Sequence, residues 1–140
     1  RGIEYYLREI VPTLRAAECV IVTNIGGERV EDFAELAARL DAESAVDALE
    51  VNLSCPNVQG GKLPFATDPK TAEAVLRGVR AATRKPLFAK LSPNVTDIGE
   101  IARAVEAGGA DAVTAVNTLL GMAVDWRSGK PGINTVMGGY

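Results

Sequence analysis

Four short apolar runs, at residues 19–25, 48–53, 86–91 and 112–117, are separated by longer stretches whose apolar positions recur every three or four residues. The runs are rich in Val, Ile, Leu and Ala. Their length and near-continuous apolarity predict strands buried on both faces. The stretches 3–16, 29–40, 69–83 and 97–107 predict amphipathic helices instead, because their apolar residues would gather on one side of a 3.6-residue turn. Local signals mark the helix ends. Asp68 before Pro69 reads as an N-cap with proline at the first helical position, Thr96 before Asp97 as a second cap, and Gly108 after Ala107 as a left-handed stop. The predicted order is α(βα)3β.

Strands alternating with helices imply parallel pairing through helical crossovers, in either an open doubly wound sheet or a closed (β/α)8 barrel. Polar residues stand at the C-terminal end of every predicted strand: Asn24, Asn52, Lys90, and Asn117 with Thr118. Ligand-capable groups at one end of all strands are what the functional face of a barrel requires. An open sheet would bind at a single switch point, and no GxGxxG turn marks one. The sequence therefore reads as α/β, with residues 1–140 forming one segment of a (β/α)8 barrel that covers roughly its middle four strands. A four-stranded piece leaves two edges of unpaired backbone groups, so the segment is expected to be incomplete at both ends.

Composition narrows the function. At 140 residues with 47% hydrophobic and 24% charged content, the chain has enough apolar side chains for one core. Its net charge of −3, with no basic run interleaved with aromatics, argues against a nucleic-acid surface. No apolar stretch approaches membrane-spanning length and no charged-then-apolar leader opens the chain, so a cytoplasmic location away from membranes is expected. Histidine is absent and only Cys19 and Cys55 are present. A zinc site or a Cys/His nucleophile pair cannot be assembled from these residues, and two cysteines without a framework read as free thiols in a reducing compartment.

The densest chemistry lies where the second apolar run ends, in Asn52-Leu53-Ser54-Cys55-Pro56-Asn57. This places a thiol between two carboxamides at a strand exit, where each amide offers a donor and an acceptor to a planar polar ligand. Cys55 is either a reactive group or a small buried hydrophobe; its two asparagine neighbours favour the first. The segment 56–67 that follows carries Gly60-Gly61 and Pro64, and reads as a closing lid or a plain surface loop. Lys90 interrupts an apolar strand, which is costly unless its ammonium meets an anion or polar cofactor or snorkels to the rim. Gly26-Gly27 and Gly108-Gly109 read as turn and cap glycines. Trp126, Arg127 and Lys130 form a docking loop or, on the plainer reading, a solvated one.

Three strings carry a resemblance: VNLSCPN at 51–57, AKLSPNVTDI at 89–98 and AVNTLLGMAVD at 115–125. Together and in this order they resemble the dihydroorotate dehydrogenases, flavin enzymes of pyrimidine synthesis built on a (β/α)8 barrel. The resemblance runs over essentially the whole chain and covers somewhat under half of that barrel. It implies Cys55 as general base, Asn24, Asn52, Lys90 and Val116 at an FMN cofactor, and Asn52, Asn57, Asn117 and Thr118 at the substrate. The flavin-phosphate glycines and part of the substrate site would lie outside this chain. No metal site is implied.

The chemistry so implied matches the residue types. Oxidising dihydroorotate to orotate removes a proton from a carbon beside a carbonyl while a hydride leaves the adjacent carbon, which needs a base on one face of the substrate and flavin on the other. A thiol titrating near ~8.5 is mostly protonated at neutral pH, so it would need activation or a rate that rises with pH. An ammonium at Lys90 would favour negative charge on the flavin ring. The loop NTLLGMAVD with GKP at 129–131 is similar to the two-subunit, NAD-linked form, in which the FMN barrel passes electrons to a separate subunit carrying FAD and a [2Fe-2S] cluster. A homodimer of barrels at the core of a heterotetramer is the assembly this implies, and no cluster ligands are seen in the sequence. The barrel domain of dihydropyrimidine dehydrogenase has similar motifs, and KPGINTV at 130–136 favours the first family. A catalytically inert half-barrel, acting only in association, is the alternative of a different class.

Overall fold

The computed structural model describes residues 2–54, 64–132 and 138–139. Strands β1 (Val22–Ile25), β2 (Ala48–Asn52), β3 (Leu87–Lys90) and β4 (Ala112–Thr114) form one sheet in the order β1-β2-β3-β4. Every pairing is parallel. In that order each crossover advances in the same direction. Because such crossovers are right-handed, the connecting helices must all fall on one face of the sheet. Helices α3 (Val30–Asp41), α5 (Pro69–Ala82) and α6 (Ile98–Ala107) do so, packing α3 on α5 and α5 on α6. A doubly wound sheet would reverse direction and cover both faces; this winding is that of a (β/α)8 barrel.

The helical faces follow from residue spacing. Phe33, Ala37 and Leu40 of α3, Ala72, Val75, Leu76 and Val79 of α5, and Ile101 and Val105 of α6 are buried. They meet Leu49 and Val51 of β2 with Leu53 beyond it, and Leu87 and Ala89 of β3 with Leu91 beyond it, in a single core. The strands are not buried on both faces as their apolar runs suggested. β1 and β3 alternate between buried and more open positions, because helices cover only one face: Val22 and Asn24 on β1, and Phe88 and Lys90 on β3, point away from them. The first and last strands are also shorter than expected. β1 begins at Val22, leaving Cys19 exposed, and β4 ends at Thr114, so Asn117 sits on the following loop.

Caps show one agreement and two corrections. Asp68 accepts a hydrogen bond from Thr71 N at 2.8 Å and starts α5 as expected. Helix α6 is capped by Asp97 rather than Thr96: its Oδ1 accepts from Gly99 N at 2.7 Å and Glu100 N at 3.2 Å. A carboxylate satisfies two orphan N–H groups at once and complements the helix dipole, which a hydroxyl does less well. Gly108 is right-handed at φ −75°, and the left-handed residue is Gly109 at φ 102°. Gly108 serves close packing instead, since a Cβ there would lie 2.8 Å from the Glu73 carbonyl oxygen on α5.

At the amino end, α1 (Gly2–Tyr5) runs through a π-helical turn at Tyr6–Ile10 into α2 (Val11–Leu14). Pro12 has no N–H to offer the α-helical ladder, and the Val11 N–H reaches back to the Tyr6 carbonyl. The Tyr6 hydroxyl lies 2.8 Å from Thr23 Oγ1, docking this helix on β1. Helix α4 (Pro64–Thr67) is a single turn whose Phe65 packs edge-on against Phe33, with centroids 5.4 Å apart at 79°. The segment read as a lid or a surface loop thus ends in a core contact at Phe65; residues 55–63, which hold Cys55, Asn57 and Gly60-Gly61, lie outside the described residues. After β4, β5 (Leu120–Gly121) pairs with β8 (Gly138–Gly139), and β6 (Val124–Asp125) with β7 (Lys130–Pro131). Trp126 is 80% exposed, with the Arg127 guanidinium stacked 4.5 Å from its centroid, in keeping with the solvated reading of this loop. Among the described residues no helix is long and apolar enough to cross a membrane.

The two ends of the sheet differ in kind. At the N-terminal end, polar side chains tie backbone to backbone. Lys85 Nζ donates to the Glu43 and Val46 carbonyls at 3.0 and 2.6 Å. Asp111 Oδ2 accepts from Leu87 N at 2.8 Å and from Arg80 at 3.2 Å, and Arg80 also donates to the Thr83 and Lys85 carbonyls. Asp41 receives Thr83 Oγ1 and Arg84 N, and Asp47 receives Ile21 N. These bonds consume the polar groups in closing loops, which is the signature of a stabilising face.

Candidate active site on the concave face

Strand alternation and register put Asn24, Glu50, Asn52, Lys90 and Thr114 on the face away from the helices. Asn24 is level with Glu50, Asn52 with Lys90, and Lys90 with Thr114. Two contacts show that this face is concave. Thr114 Oγ1 on β4 donates to Glu50 Oε2 on β2 at 2.7 Å, and Asn117 Nδ2 after β4 donates to Asn52 Oδ1 at the end of β2 at 3.0 Å. Both reach over β3. In a flat sheet strands two apart lie about 9.5 Å from each other with side chains upright, too far for such bonds. The sheet curls toward this face, as a barrel wall must.

Asn52 and Asn117 form a carboxamide pair. Asn52 Oδ1 also accepts from Ser54 N at 3.2 Å, which turns the chain at the exit of β2 toward residues 55–57. Asn117 is held by its backbone N–H on the Leu91 carbonyl at 2.8 Å, and its Oδ1 accepts from Thr118 N at 2.8 Å. Beneath the amides lies a charged cluster. Glu50 Oε1 accepts from Asn24 Nδ2 at 2.6 Å and stands 3.9 Å from Lys90 Nζ. Both charged side chains are largely covered, at 28% exposure for Lys90 and 19% for Glu50. Val116 is partly exposed beyond a cis Ala115–Val116 peptide.

Of the residues expected from the sequence, Asn52, Lys90, Asn117 and Thr118 gather at the C-terminal ends of β2 to β4, with Asn24 beside them on β1. Cys55 and Asn57 lie outside the described residues. Three participants were missed. Glu50 is a charge inside an apolar run, two residues before Asn52 and so on its face. The reasoning applied to Lys90 would have found it. Thr114 gives no sequence signal, since only curvature brings it to Glu50. Asn94 was read only as part of a string. Its Nδ2 donates to the Thr118 carbonyl at 2.8 Å and its Oδ1 accepts from Leu120 N at 3.0 Å, fastening the loop that carries Asn117 and Thr118. A separate cleft of about 310 Å³, lined by Ala102, Arg103, Glu106 and Val113 among others, opens between α6 and β4, away from these groups.

A singly wound parallel segment with its polar side chains gathered at the C-terminal strand ends belongs to the class of α/β-barrel proteins. The chain is a member of the dihydroorotate dehydrogenase family, whose family model matches residues 1–140. It is 49% identical over 138 residues to the catalytic subunit of dihydroorotate dehydrogenase B (NAD(+)) of Desulforamulus reducens, covering 99% of this chain and 45% of that protein. The protein of the same name from Trichlorobacter lovleyi is also 49% identical over 138 residues, with the same coverage. That of Bacteroides thetaiotaomicron is 43% identical over 139 residues, 99% of this chain and 46% of the relative. The chain thus spans a little under half the length of these relatives.

Proposed function

We propose that this chain supplies the central strands of an FMN-dependent dihydroorotate dehydrogenase that oxidises dihydroorotate to orotate. The observation that carries this reading is the Asn52–Asn117 carboxamide pair, bonded at 3.0 Å, on the same concave face as Lys90. The donor set suits both ligands. Dihydroorotate is planar in most of its ring, rich in amides and bears a carboxylate, so facing carboxamides can pair with its edge. A flavin ring presents carbonyls and ring nitrogens, for which Asn24, Asn52 and the Lys90 ammonium are fitting donors. FMN, when bound, would supply the two-electron acceptor that no amino-acid side chain provides.

The residues of the chain then have distinct tasks. Asn52, Asn117 and Thr118 hold the substrate ring, with Asn57 joining them from the 55–63 segment. Cys55, from the same segment, takes the proton from the carbon beside the ring carbonyl as a hydride leaves the neighbouring carbon. Ser54 and Phe65, both buried, hold the two ends of that segment against the core. The relatives' printed name, with its NAD(+) and its catalytic subunit, supports an NAD-linked form working with a partner subunit; to this we add FAD and a [2Fe-2S] cluster on that partner, a homodimer of barrels at the centre, and a cytoplasmic location.

The full product of the gene tests this. It should purify with FMN and show dihydroorotate-dependent bleaching of the flavin. Cys55→Ala should keep FMN yet slow that bleaching by roughly 10² to 10⁴, the contribution of a positioned base. A colourless protein that takes up no added FMN would refute the reading.

A further inference from the structure

We infer that Glu50 is the counter-charge of Lys90, and that the pair, rather than the lysine alone, sets how readily a flavin on this face accepts electrons. The inference rests on the FMN reading above. Glu50 is tied on both carboxylate oxygens: Oε1 accepts from Asn24 at 2.6 Å and Oε2 from Thr114 at 2.7 Å. It cannot swing away from Lys90, whose Nζ lies 3.9 Å from Oε1. Four strands therefore converge on one carboxylate: Asn24 from β1, Glu50 itself from β2, Lys90 from β3 and Thr114 from β4.

Two consequences follow from charge alone. Lys90 leaves a strand whose other face is buried, and Glu50 stabilises its ammonium in a partly covered place where an unpaired charge is costly. A carboxylate fixed this close also offsets most of the field that the ammonium projects into the barrel mouth. Two-electron reduction of a flavin places negative charge on its ring. A lone ammonium would strongly favour that state, whereas a paired one favours it weakly. The arrangement keeps the flavin a comparatively strong reductant, suited to passing electrons to a low-potential acceptor such as a nicotinamide. Glu50 is thus a positioning residue, acting through Lys90.

The test is the reduction potential of bound FMN in the full product of the gene, measured by dye equilibration alongside melting temperature. Glu50→Gln is isosteric, and its carbonyl can still accept from Thr114 or Asn24. It should raise the ratio of reduced to oxidised FMN affinity by about tenfold, for a charge removed at a partly covered site. That ratio corresponds to a shift of about 30 mV to more positive potential. Glu50→Asp keeps the charge and should stay near the parent. In a Lys90→Met background, where Glu50 is left without its cation, adding Glu50→Gln should return the potential toward the parent value. A purely structural Glu50 would change the melting temperature and leave all three potentials unmoved, which overturns the inference. So would equal shifts in the Gln and Asp variants. If the parent protein binds no FMN at all, the functional reading falls first and the inference with it.

Discussion

Lys85 and Lys90 lie five residues apart at opposite ends of one strand, and they should fail in opposite ways. Lys85→Met keeps most of the apolar stem and removes the ammonium that donates to the Glu43 carbonyl at 3.0 Å and the Val46 carbonyl at 2.6 Å. Hydrogen bonds from a charged donor contribute about 1.5 to 3 kcal/mol each. Lys85 is only half-buried and the loop can admit water to the freed carbonyls, so the two together should be worth about 2 kcal/mol. For a domain of this size that corresponds to a fall in melting temperature of about 5 to 10 °C. Urea unfolding gives the free energy directly, with a lower midpoint at unchanged slope as the mark of lost stability. Flavin retention and dihydroorotate turnover of the folded variant should match the parent, because Lys85 bonds to the Glu43 and Val46 carbonyls at the opposite end of the sheet from the concave-face cluster. Loss of less than about 0.5 kcal/mol, a value typical of an ordinary surface change, would show that the loop closure is not held by this side chain. Loss of FMN at full stability would refute the division of the sheet into a stabilising end and a ligand end.

Three further outcomes are expected. Asn94→Ala removes both bonds that fasten the loop after β4 and should raise KM for dihydroorotate by about tenfold with less effect on kcat, since it frees Asn117 and Thr118 without touching the reacting carbons; equal KM in steady-state assays would count against it. Phe33→Ala opens a cavity under Phe65 and should cost about 3 to 5 kcal/mol in urea unfolding, while a cost below 1 kcal/mol would mean that the ring contact is incidental. The carboxyls of Asp41 and Asp68 are held below the usual aspartate range, first by hydrogen bonds from the Thr83 and Thr71 hydroxyls and then by backbone N–H groups of Arg84 and Thr71. Because the folded values are the lower ones, the unfolded chain binds more protons in acid. The stability they contribute is present above about pH 4 and is lost as pH falls through the lowered folded values. Urea midpoints should therefore fall as pH is lowered below about 4, and a flat profile there would contradict the assignment.

What could be read from the chain, and what could not, divides along a physical line. Apolar periodicity is local, so the four strands and the three crossover helices followed from spacing along the chain, whereas the barrel was preferred to a doubly wound sheet on the polar residues at the strand ends. The motif residues Asn52, Lys90 and Asn117 were legible for the same reason, as polar groups at the ends of apolar runs. Curvature is not local. It brings Thr114 and Asn117 over β3 to Glu50 and Asn52, and no pattern in one strand says how far its second neighbour leans. Helix ends were decided by competition between neighbours: Asp97 displaced Thr96 because a carboxylate accepts two N–H bonds, and Gly109 rather than Gly108 took the left-handed turn because Gly108 is pressed against α5. The charge balance of the site was hidden in the same way. Lys90 looked like a lone cation in the sequence, and only the folded sheet sets Glu50 beside it.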